Sequence, residues 1–84
     1  MGYGDLMRVL KSGEFPWARY AVVHEDGEGT VHENHPELHR TSDGRMIWSA
    51  PGGRNAVVSR EGVPVKFFAG SWSTYIVDRD LVLP

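Results

Sequence analysis

Glycine-centred turn signals recur at short intervals along this chain and decide what it can fold into. Asp26-Gly27, Asp43-Gly44, Pro51-Gly52-Gly53 and Glu61-Gly62 separate short apolar runs. Asp-Gly between such runs is a strong hairpin signal. Gly and Pro together make up roughly 18% of the 84 residues, against about 12% in an average protein. The runs Trp17–His24, Thr30–Glu33, Arg45–Ala50, Asn55–Ser59, Val63–Ala69 and Trp72–Val77 read as strands, and Leu81–Leu83 as a short edge strand. About six strands at ~8–12-residue spacing mark an antiparallel meander, roll or small barrel. Pro64 sets the start of its run at an edge or before the ladder. Asn34–Asp43 is polar and aperiodic, and reads as a loop.

The N-terminal stretch has a different period. Asp5 can cap a helix, Leu6, Met7, Val9 and Leu10 follow at helical spacing, and Gly13 can close it in the left-handed region. Pro16 bars continuation. Two turns are marginal alone, so this helix must pack on the strands. No strand–helix–strand alternation occurs, which excludes a parallel α/β fold. The expected fold is therefore α+β and mostly β. A short N-terminal helix packs on a bent antiparallel sheet or small β-barrel of about six strands, as one small domain over residues 1–84. The expected core is Leu6, Val9, Leu10, Trp17, Val22, Ile47 or Trp48, Val57, Val65, Phe67, Ile76 and Val77.

The chain has no cysteine, so neither disulfides nor thiolate metal sites can support it. Small secreted domains usually need such bridges, which points to a reducing cytoplasm. Asp5 and Arg8 interrupt any leader-like apolar stretch. No run approaches the ~18 apolar residues of a membrane span.

Net charge is −2, too balanced for a generic polyanion binder. The distribution is uneven. Residues 1–39 hold three basic and seven acidic side chains, a balance of −4. Residues 40–66 hold five basic and two acidic, a balance of +3.

His24, His32, His35 and His39 cluster among carboxylates, the ligand types zinc takes when thiolates are absent. His32-Glu33-Asn34-His35 is one residue short of the helical His-Glu-x-x-His pattern, and Pro36 forbids a regular helix there. A two-residue Asp26-Gly27 turn sets His24 and His32 on opposite faces, whereas a three- or five-residue loop sets them on one face. A metal site is not favoured; His32, His35 and His39 are its candidates. The same loop, with Arg54 or Tyr75, could serve acid–base cleavage of RNA. No Ser lies in a Gly-x-Ser-x-Gly elbow.

Arg45, Trp48, Arg54, Arg60, Lys66, Phe67 and Phe68 interleave cations with aromatics, as a barrel that binds a single nucleic-acid strand requires. Pro51-Gly52-Gly53-Arg54 could present backbone N–H groups to an anion but lacks the spacing of a phosphate-binding loop. Three Trp are many for so small a core, and Trp, Tyr and Arg dominate interface energetics. Strand edges, such as one after Gly70 or the C-terminal tail, can pair with a partner's strand. The first reading is thus a non-enzymatic binding or regulatory module with a protein partner, able to self-associate, and no cofactor. Its binding residues are Arg45, Trp48, Arg54, Trp72 and Tyr75. It fits an accessory protein of a bacterium or phage. The runner-up is a nucleic-acid-binding barrel using Arg40–Lys66. Third is a metal-dependent or RNA-cleaving enzyme using the histidine loop.

Overall fold

The computed structural model describes residues 3–50, 52–67, 72–74 and 76–80. Helix α1 (Tyr3–Lys11) is followed by strands β1 (Tyr20–Val23), β2 (Gly29–His32), β3 (Glu37–Arg40), β4 (Met46–Ser49), β5 (Asn55–Val57), β6 (Ser59–Arg60), β7 (Val63–Pro64) and β8 (Val77–Asp78). A 3-10 turn, Trp72–Thr74, precedes β8. The chain is mostly β with one short helix, and all strand pairs are antiparallel. The main sheet runs β5-β2-β1-β8, with β3-β4 and β6-β7 as separate hairpins. The main sheet is open, with β5 and β8 at its edges, so the described residues form no closed barrel.

α1 begins earlier than expected, so Asp5 lies inside the helix and not at its cap. Gly13 ends it at φ +85°, a conformation glycine adopts without steric cost. The loop Glu25-Asp26-Gly27 has three residues. His24 N–H donates to Glu28 O at 2.8 Å, Gly27 N–H donates to His24 O at 2.9 Å, and Gly27 sits at φ +92°. This register pairs Ala21 with Val31 and Tyr20 with His32.

Ala21, Val23, Val31 and Val77 form one face of the sheet and pack with Leu6, Leu10 and Phe67 in a single core. The opposite face carries Tyr20, Val22, His24, Thr30 and His32. The β3–β4 hairpin and the 3-10 turn lie against it. The Tyr20 ring meets His35 edge-on at 4.9 Å, Trp48 is buried, and Trp48 Nε1–H donates to Trp72 O at 3.4 Å. Val58 joins the main sheet to the β6–β7 hairpin: its N–H donates to Gly29 O and its carbonyl accepts from Val65 N–H. Phe67 N–H then donates to Gly27 O, which bends the strand system back over β2.

Several expectations need correction. The strand expected over Trp17–His24 starts only at Tyr20. Asn34–Asp43 is not all loop, because Glu37–Arg40 pairs with Met46–Ser49. Trp72–Val77 alternates in sequence yet opens with a 3-10 turn, and among its described residues strand begins at Val77. The described strands number eight, three of them only two residues long. Val57 is 42% exposed and Val58 takes the core position, while of the two alternatives Ile47 and Trp48 it is Trp48 that fills the interior, as expected of one of them. Tyr75, Phe68, the edge expected after Gly70 and Leu81–Leu83 lie outside the described residues.

Candidate functional site

Residues 54–60 form one extended margin of the molecule, and its ladder partners all lie on one side. Glu33 N–H donates to Arg54 O at 2.9 Å, Val58 N–H to Gly29 O at 2.8 Å, and Val65 N–H to Val58 O at 2.9 Å. Peptide groups alternate sides along an antiparallel strand, so residues 54, 56, 58 and 60 face inward. Asn55, Val57 and Ser59 turn their peptide groups outward, where no described strand pairs with them. All three residues are exposed.

Beside this margin is a groove of about 570 Å³. Its apolar floor comes from Val9, Val58, Val65 and Phe67, and its rim from Arg8, Glu14, Arg60 and Glu61. The volume falls within the range of ligand-holding clefts. Glu61 and Gly62 form the two-residue turn between β6 and β7, at φ +54° and +79°. Such a mirror-image turn favours Asn, Asp or Gly at its first position. A glutamate there is held in a conformation non-glycine residues rarely adopt.

A second cleft, about 300 Å³, lies where the β1–β2 loop meets β4, with His24, Asp26, Thr30, Arg45 and Met46 among its lining. The three-residue loop sets His24 and His32 on one face, and the two share a single hydroxyl. His24 Nε2 and His32 Nε2 each lie 2.8 Å from Thr30 Oγ1. That hydroxyl donates one hydrogen, so it can satisfy one imidazole as donor and must accept from the other. His32 is 5% exposed and its Nδ1 has no partner among the described residues. The cheaper arrangement leaves a bare lone pair there: His32 Nε2–H donates to Thr30, and the Thr30 hydroxyl donates to His24 Nε2. Burial holds the His24 imidazole below its usual range, partly opposed by Asp26 and Glu28. Burial also lowers His32, and the neighbouring His24 adds to it. Thr30 and His24 have the reach of a nucleophile and base. However, no described carboxylate orients the His24 ring, as an activated pair requires.

The metal candidates are dispersed. His32 is buried against Thr30, His35 rests on Tyr20, and His39 lies on exposed β3 beside Glu37 at 3.6 Å. No group of three His, Asp or Glu that could hold a metal ion occurs among the described residues. The proposed binding residues are also separated. Arg45 lies 3.7 Å from Glu25 at the second cleft. Arg54 binds Glu33 through Nη2 at 3.1 Å and holds that carboxylate below its usual range. Trp48 is buried at 8% exposure and Trp72 is half-buried. Lys66 sits 4.0 Å from both Asp26 and Glu28. The acidic and basic stretches of the sequence therefore meet across the fold, and Arg45, Arg54 and Lys66 are each compensated.

The sequence reading missed two features. The groove depends on Val9 and Phe67 lining one cavity from segments far apart in sequence, a juxtaposition no local pattern encodes. Half-buried Trp17 packs against the core, as the sequence predicts, and also stands at one end of the free margin. It meets Phe15 edge-on at 5.9 Å, and the Arg54 guanidinium lies 5.6 Å above its ring. No described helix is long and apolar enough to cross a membrane. No family model, curated protein or solved structure matches this chain.

Proposed function

We propose that the chain is a non-enzymatic binding module that acts through protein–protein contacts. The observation that carries this reading is the 570 Å³ groove, with an apolar floor and a rim of both signs. An apolar centre within a polar rim is the anatomy of protein interfaces. A polyanion site needs a continuous cationic stripe, and Glu14 and Glu61 interrupt one here. Compensation of Arg45, Arg54 and Lys66 by carboxylates supports the same choice.

The test is selection of a phage-displayed random peptide library on the immobilised chain. The expected result is enriched peptides that persist in moderate salt and weaken about tenfold, 1.4 kcal/mol, with Arg8→Glu plus Arg60→Glu. Arg45→Ala should leave them unchanged. The contrary result is no enriched peptide, with a single-stranded oligonucleotide bound instead, released steeply by salt and weakened by Arg45→Ala.

A further inference from the structure

We propose that the module takes its partner as an added β-strand. An extended segment of another protein pairs with the free margin at Asn55, Val57 and Ser59, sets alternate apolar side chains beside Val58, and brings a carboxylate to Arg60. This rests on the protein-binding reading and specifies its mode.

The margin is long enough. Seven residues, 54–60, extend about 23 Å at the rise of a strand. Among the described residues it is also unguarded. Exposed edges are usually blunted by Lys, Pro, a bulge or an inward charge. Here the outward positions are Asn55, Val57 and Ser59, all uncharged, and Val57 is 42% exposed. Backbone pairing supplies affinity in strand addition, and pockets for alternate side chains supply specificity. Both parts are present. Every second side chain of an added strand falls on the α1 side of the sheet, next to Val58 and Arg60, which line the groove.

Charge selects the occupant. Arg54 is neutralised by Glu33. Arg60 has no ion pair among the described residues, so it is the open cation of the margin. A second copy pairing antiparallel about Ala56 would set Gly52 opposite Arg60 and Val58 opposite Arg54, leaving Arg60 uncompensated. A partner segment with apolar residues at alternate positions and an acidic residue at the Arg60 end satisfies the margin and the groove together.

The test takes the best library-selected peptide, made synthetically and N-methylated at one position at a time. N-methylation removes one donor without touching the protein. The expected result is a loss of about tenfold or more at alternate peptide positions only. Amide exchange at Asn55, Val57 and Ser59 should slow on binding. Val57→Pro should weaken the peptide similarly. It removes an outward donor and leaves the inward ladder intact. Arg60→Glu should weaken acidic peptides and spare a version with Gln in place of the acid. A peptide that binds in the groove with no protection at these amides and no alternating methylation pattern overturns strand addition while leaving the protein-binding reading intact. Protection without peptide, together with a dimer in sedimentation, overturns the hetero-partner in favour of a second copy. Absence of any bound peptide overturns both.

Discussion

The ring of Phe67 occupies the space a side chain at Gly29 would need. A Cβ on Gly29 would stand 2.5 Å from Phe67 Cε2 and 3.2 Å from Leu6 Cδ2. Both neighbours are buried. Gly29→Ala must therefore displace packed core atoms, and a loss of about 1–3 kcal/mol is expected. Urea unfolding measures it, and an unchanged midpoint would show that the ring can step aside freely.

Glu61 makes the opposite prediction. Its left-handed backbone costs about 1 kcal/mol, which Asn tolerates better. Glu61→Asn should raise the stability of the fold by about 0.5–1 kcal/mol, read as a higher melting temperature. It should also alter peptide selection at the groove rim.

Stability should fall in mild acid. The His24 and His32 imidazoles titrate below the usual 6.5 when folded. The unfolded chain thus binds more protons just below that pH. Their contribution is fully present above about 6.5 and is lost as pH falls toward the folded values. For His32 the slope reaches at most about 1.4 kcal/mol per pH unit. Chemical unfolding at stepped pH should show the decline, and His32→Leu should flatten it. Thr30→Val, which strands two imidazole nitrogens, should cost about 1–3 kcal/mol at neutral pH.

Zinc in excess should leave the melting temperature unchanged. A native-state site would stabilise the fold by mass action. Among the described residues, the dispersal of His32, His35 and His39 provides none. A zinc-dependent rise abolished by His35→Ala would contradict this.

The turns were legible because each rests on a local rule. Gly13, Gly27, Gly44 and Gly62 all take positive φ where a turn or helix end needs it. Strand parity was less legible. Asn55-Ala56-Val57-Val58-Ser59 offers two adjacent valines, and only the bond from Val58 to Gly29 decides which one faces the core. Glu37–Arg40 was hidden because its side chains are mostly polar and its strand is set by Leu38 opposite Trp48. The sequence offers Trp48 both as core and as a binding anchor; it is buried, and its indole N–H donates to the carbonyl of Trp72 in the 3-10 turn. Asn55–Ser59 reads as a strand from its sequence, while its place at the edge depends on which segments pair elsewhere.

The pairing of β1 with β8 has a kinetic meaning. Arg19 and Asp78, joined beside that pairing, are 59 residues apart in sequence. Closing so long a loop comes late, because its entropy is lost before the contact rewards it. The β1–β2 hairpin is local and can form early. Until β8 arrives, β1 offers a second open edge, flanked by buried-type residues, to any chain nearby. The nascent protein is therefore most prone to association at Tyr20–Val23, on the opposite side of the sheet from the margin it keeps open when folded.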